Sequence, residues 1–155
     1  MKKFVALVAC IVLALSIVGC TNGSSQQTQS ADKSTASQLV EYYQNSGVSE
    51  FISSIAGKMT TLLSVAVTGS ETEFTTAYND LVTLSDKLSM ISNVPEKLKA
   101  SHQKLIESAT KYKEAANYLN QFRLTRDASY LGLANTSSQQ ATEKLREFTS
   151  SLPSA

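Results

Sequence analysis

The sequence predicts an all-α domain: an up-down antiparallel four-helix bundle with a short extra N-terminal helix, set behind a signal peptide and a flexible tether. Three observations carry this. Apolar residues after position 38 recur at steps of three and four, the helical period. No stretch sustains the alternation of a half-buried strand. The breaks between the stripes are short, which makes consecutive helices antiparallel neighbours.

The elements follow in order. Met1-Lys2-Lys3 precedes an uncharged run from Phe4 to Val18. A positive start followed by about 15 apolar residues is the pattern of a secretory signal peptide. A membrane-spanning helix needs roughly 20 apolar residues, so the run is short for a permanent span. Residues 20–35 hold Cys20 and then TNGSSQQTQSADKST, which lacks any large apolar side chain. Such a stretch cannot offset its ordering entropy by burial, so it reads as a tether. Fifteen residues of flexible coil span roughly 20 Å.

The helical domain is expected over 36–152. Leu39, Val40 and Tyr43 begin a short helix, interrupted at Asn45-Ser46-Gly47. A helix continuing through Gly47 with a kink is the alternative. The step of five from Tyr43 to Val48 breaks the phase and favours the interruption. Val48, Ile52, Ile55, Met59, Leu62 and Ala66 form the next stripe. Gly69 and Ser70 end it, and Ser70 with Glu73 matches a capping box. Phe74, Ala77, Leu81, Leu84, Leu88 and Ile91 follow. Pro95 suits a helix start, where its missing N–H costs nothing. Leu98, His102, Leu105, Ala109, Tyr112, Ala116 and Leu119 then step four, three, four, three. A last stripe runs from Ala128 through Leu131, Ala134, Ser138, Ala141, Leu145 and Phe148 to Leu152, before Pro153.

The tetrapeptide Ile17-Val18-Gly19-Cys20 lacks the Ala-x-Ala arrangement of an ordinary cleavage site. It resembles the lipobox of bacterial lipoproteins. That resemblance implies a diacylglyceryl group on the Cys20 thiol, with cleavage after Gly19 to leave residues 1–19 as the signal peptide. Two acyl chains make anchoring stable where one does not. The implied address is the outer face of the cytoplasmic membrane. Cys10 departs with the signal peptide, so the mature chain keeps no thiol for a disulfide, a zinc site or a nucleophile.

Removing Lys2 and Lys3 from 14 basic residues leaves 12 against 13 acidic. A near-neutral chain lacks the basic footprint of a nucleic-acid binder. Charge is nonetheless uneven. Asp32 to Glu96 holds eight acidic and three basic residues, whereas Lys97 to Arg126 holds seven basic and two acidic. Lys97, Lys104 and Lys111, seven apart, are expected on one helix stripe. They are candidate contacts to an anionic surface, either phospholipid headgroups or an anionic wall polymer. The more ordinary role is a solvated face complementing the acidic helices.

His102 is the lone histidine. With Tyr112 it marks a possible pocket between helices. The ordinary role is a core-edge histidine bonded to a neighbouring helix. Ser101 adjoins it but points elsewhere on a helix, so no triad follows. Position 99 is Lys, so a Glu-x-x-His di-iron motif is missing. Glu143 and Glu147 read as surface residues, and Glu71 and Glu73 as favourable charges at a helix start. Tyr42, Tyr43, Tyr112, Tyr118 and Tyr130 read mainly as core and boundary residues, with a sugar platform as the sharper option for the exposed ones. No metal, cofactor or catalytic set is expected.

The segment Val94-Pro95-Glu96-Lys97-Leu98-Lys99-Ala100-Ser101-His102, continuing to Leu119, is similar to a Pro-initiated helix in small helical lipoproteins of Gram-positive bacteria. That likeness implies the same fold and location and supplies no activity. The expected function is a non-enzymatic interaction or scaffold module at the cell envelope, held by covalent lipid beside an envelope protein or wall polymer. The alternative is a ligand-binding or sensory bundle.

Overall fold

The structure, a computed structural model, describes residues 35–44 and 46–152. The expected signal peptide, Cys20 and the expected tether up to position 34 lie outside the described residues, as do 153–155. Among the described residues five α-helices follow one another: α1 (Thr35–Gln44), α2 (Ser46–Thr68), α3 (Glu71–Ser89), α4 (Lys99–Thr125) and α5 (Ser129–Ser150). A 3₁₀ turn, Glu96–Leu98, leads into α4. No strand occurs among the described residues.

The expected interruption is narrower than the sequence suggests. Ser46 and Gly47 already belong to α2, and Gly47 is buried. Only position 45, outside the described residues, separates α1 from α2.

Side-chain pairs fix the directions. Lys58 meets Asp80 and Lys87 meets Glu50, so α2 and α3 run antiparallel. Tyr78 meets Asn117 and Lys113 meets Asp86, so α3 and α4 do too. Ser108 bonds to Ala141 and Ser101 to Ser151, which sets α5 against α4. α4 is the hub: it packs most heavily against α5 and also touches α3 and α2. Tyr42 faces His102 while Phe51 faces Tyr112, so α1 and α2 together run parallel to α4. Thr35 therefore lies at the end of the domain where α4 begins.

Turn chemistry places the ends. Ser70 accepts the Glu73 N–H while Glu73 accepts the Ser70 N–H at 2.8 Å, completing the capping box at α3. Gly69 is required by contact. A Cβ there would sit 2.7 Å from the Val65 Cβ. Arg126 ends α4 in the left-handed region at φ 62, and its guanidinium lies over the Phe122 ring.

The stripes form one core: Val48, Phe51, Ile55, Leu62, Leu81, Leu84, Leu88, Leu98, Leu105, Leu119 and Phe148 are fully buried or nearly so. One stripe residue is displaced. Phe51 is fully buried and Ile52 only half-buried, although both flank the same helix face: packing takes the larger ring, which meets Tyr112 edge-on. α2, over Gly47–Thr68, is long and apolar enough by composition to cross a membrane. Its Val48, Phe51, Ile55, Leu62 and Ala66 face this core, while Leu63 and Val67 are exposed.

The α4–α5 seam is made of small residues. Ser101, Ser108 and Ala115 recur every seven positions and are buried with Ala134, Ser137 and Ala141. A seven-residue repeat is the signature of shallow left-handed packing. Small seam residues let the two backbones approach closely. Ser108 Oγ then reaches the Ala141 carbonyl at 2.8 Å.

Candidate functional site

Close approach of α4 and α5 has a second effect. The longer side chains flanking the seam rise on both sides and leave an open groove of about 570 Å³. Gln103, Ile106, Lys111, Gln140, Glu143 and Lys144 are among the residues that line it. Glu107, Lys111, Glu114 and Tyr118 step four, three, four along α4, so they share this face. Leu133 and Tyr130 continue the matching face of α5 from Lys144 and Gln140. Tyr118 and Tyr130 stack across the helices at 6.4 Å between ring centres.

Most charges along the groove are paired, while Glu143 adds a carboxylate with no ion pair among the described residues. Lys104 pairs with Glu107 and Glu147 at 3.5 and 3.3 Å. Lys144 pairs with Glu107 and with Glu147. Its hydrogen bond to Glu147 raises the Lys144 pKa, and the same bond lowers that of Glu147. Lys111 meets Glu114 at 2.6 Å, and Glu114 also accepts the Tyr118 hydroxyl at 3.4 Å.

The lysines expected on one stripe are therefore placed differently. Lys97 sits in the 3₁₀ turn before α4, while Lys104 and Lys111 lie on α4 with carboxylates against them. The basic excess of 97–126 is largely matched by acidic partners on α3, α4 and α5, as the Lys113–Asp86 and Arg123–Glu71 pairs also show.

His102 and Tyr112 are both occupied by neighbours. The Tyr42 hydroxyl lies 2.7 Å from His102 Nδ1, and the rings meet edge to face. Burial lowers the His102 pKa and so favours the neutral ring, whose tautomer sets which partner donates in the bond between Tyr42 and Nδ1. Burial, then the neighbouring Tyr43, raises the Tyr42 pKa. Tyr112 packs edge-on to Phe51, and its hydroxyl meets Thr142 at 3.2 Å. Ser101 donates to the Ser151 carbonyl rather than to His102. Among the described residues, no three His, Cys, Asp or Glu side chains gather as a metal site would need.

One structural residue escaped the sequence reading. Arg123 is only 10% exposed, donates to the Val65 and Gly69 carbonyls at 2.9 Å, and lies 4.9 Å from the Phe74 ring centre. It ties the end of α4 to the α2–α3 turn. A basic residue in the last turn of a helix gives no hint that it serves another helix's end.

Compared with protein-family models, curated proteins and solved structures, the chain matches none.

Proposed function

We propose that this chain is a lipoprotein of the bacterial cell envelope, held on the outer face of the cytoplasmic membrane by lipid on Cys20. The helical domain serves there as a non-enzymatic interaction or scaffold module beside an envelope protein. The observation that carries the reading is the order of the first twenty residues: Lys2-Lys3, an uncharged run, then Ile17-Val18-Gly19-Cys20. We read α2 to α5 as an up-down antiparallel bundle, which the alternating helix directions support. A chain entering at Thr35 reaches the bundle through α1, whose Tyr42 and Tyr43 rings pack against Phe148. That attachment gives a tether a firm mechanical link to the core.

A ligand seated deep between helices at His102 and Tyr112 is disfavoured, since Tyr42 and Phe51 fill that space. The reading is tested by feeding cells an alkyne-tagged fatty acid and coupling a reporter to the purified chain. The wild-type chain should take the label and Cys20→Ser should not. A wild-type chain that stays unlabelled while other lipoproteins of the same cells are labelled overturns the proposal.

A further inference from the structure

We propose that the outer face of α2 docks on the same face of a second copy of this chain, with the two α2 helices antiparallel. The inference goes beyond the envelope reading and stands whether or not Cys20 carries lipid. It starts from charge. Between Ser46 and Thr68 the charged residues are Glu50 and Lys58, and both are paired with α3, through Lys87 and Asp80. The side of α2 turned away from α3 therefore carries none. Ser49, Ser53, Ala56, Thr60, Leu63 and Val67 lie there, all exposed, at steps of four, three, four, three, four. That spacing is the seam of shallow helix packing, repeated here on an exposed face. Leu63 and Val67 keep 45% and 50% of their surface open. Among the described residues α2 is the one helix apolar enough to cross a membrane, yet only 28% of its apolar stretch is buried.

The hydroxyls on this face are already satisfied. Ser53 donates to the Ser49 carbonyl and Thr60 to the Ala56 carbonyl, each at 2.9 Å. Covering them strands no donor, so a partner meets an effectively apolar surface. A flank of α5 extends it. Thr142 meets Tyr112, which in turn meets Phe51 of α2, so this flank looks toward α2. Its Leu131, Ser138, Thr142 and Leu145 are uncharged and half-buried or exposed.

A second copy is the occupant this surface fits. Around a two-fold axis each residue near the centre meets its own twin, so a charge there would repel itself. An uncharged face avoids that. A membrane surface would instead favour basic residues along the helix, and α2 offers only Lys58, paired with Asp80. Antiparallel order evens the gap between the helices. It sets Ser49 against Val67 of the second copy, Ser53 against Leu63 and Ala56 against Thr60, a smaller residue always facing a larger one. Parallel order would set Val67 on Val67 and Ser49 on Ser49, and splay the pair. From Ser49 to Val67 the face runs about 27 Å. With the α5 flank it is two helix widths of about 10 Å across, or roughly 500 Å² per copy and about 1,000 Å² in all, the lower bound of a specific interface. The dimer is thus a weak one, with a dissociation constant on the order of micromolar or above.

The test uses the full chain at about 100 μM in a large excess of detergent micelles, with Cys10→Ser and Cys20→Ser so that an added cysteine is its only thiol. In the antiparallel pair the two Thr60 positions stand about 6 Å apart along the helix, so a bis-maleimide spanning about 8 Å should join Thr60→Cys chains. Val67→Cys chains, about 27 Å apart, should not join one another but should join Ser49→Cys chains. Thr136→Cys, exposed elsewhere on α5, controls for chains that merely share a micelle. Adding Ala56→Glu to the Thr60→Cys chain should weaken its association about tenfold or more with the circular dichroism unchanged. Mixing that chain with one carrying Ala56→Lys and Thr60→Cys should restore the link. Three outcomes overturn the proposal: Thr60→Cys linking no better than Thr136→Cys, Val67→Cys linking to itself, or Ala56→Glu leaving the link unchanged. A chain that stays monomeric and instead holds liposomes or another protein on this face overturns it too. Because Cys20 is replaced throughout, the result is independent of the anchor.

Discussion

Replacing Arg123 with Ala should destabilise the domain by about 2 kcal/mol. The guanidinium makes two charge-assisted bonds to carbonyls, each worth roughly 1.5–3 kcal/mol net. Both carbonyls, of Val65 and Gly69, stand at the end of α2, where a cation is further favoured by the helix dipole. The ring contact with Phe74 adds about 0.5–1 kcal/mol. Against this, Arg123 Nε is buried without a hydrogen-bond partner, a cost of about 1–3 kcal/mol that Ala removes. The Glu71 carboxylate is 79% exposed, so its pair adds little. Urea denaturation followed at 222 nm measures the change. Arg123→Lys should recover only part of the loss: one ammonium can serve both carbonyls as Nη1 does, but it lacks the planar contact with the Phe74 ring and the second nitrogen that reaches Glu71. Glu71→Gln should cost under about 0.5 kcal/mol. An Arg123→Ala variant within about 0.5 kcal/mol of wild type would refute this reasoning, since two exchanged bonds cannot be that cheap.

Further outcomes follow from single sites. The His102 pKa is depressed in the folded state, so the unfolded chain protonates first as pH falls. Stability should hold above the unfolded value near 6.5, then decline as pH drops through it toward the lower folded pKa, and His102→Gln should flatten that decline in urea midpoints taken across pH 4–8. Arg126 holds a left-handed backbone, so Arg126→Val should lose about 1–2 kcal/mol while Arg126→Gly should lose nothing or gain slightly. Equal losses in thermal melts would contradict the strain argument. Ser108→Leu should cost roughly 1–3 kcal/mol by overpacking the α4–α5 seam, and a neutral result would show that the helices are not held close there.

Most of the fold is legible in the sequence because burial of one helix face leaves a period. The stripes from Phe74 to Leu88 and from Leu98 to Leu119 match the buried residues closely, and Ser70 with Glu73 announces the α3 start by its own chemistry. What the period does not carry is the third dimension. It does not say that Arg123 reaches the α2 end, that Tyr42 finds His102 sixty residues away, or that Lys104 and Lys111 face carboxylates. The groove is half-visible: small residues at 101, 108 and 115 foretell a close seam, but only the pairing of α4 with α5 turns their long flanking side chains into walls. Phe51 was hidden by Ile52 because both lie near the same helix face, and packing chose the larger ring.

The central claim is attachment through Cys20, and the most direct measurement is fractionation of cells expressing wild type or Cys20→Ser. Membranes are washed at alkaline pH, and the chain is followed with its cleaved or uncleaved length. The account predicts that wild type stays with the membrane after the wash, while Cys20→Ser, once its signal peptide is removed, leaves it with its helical circular dichroism intact. A cleaved Cys20→Ser chain that remained on washed membranes would contradict it.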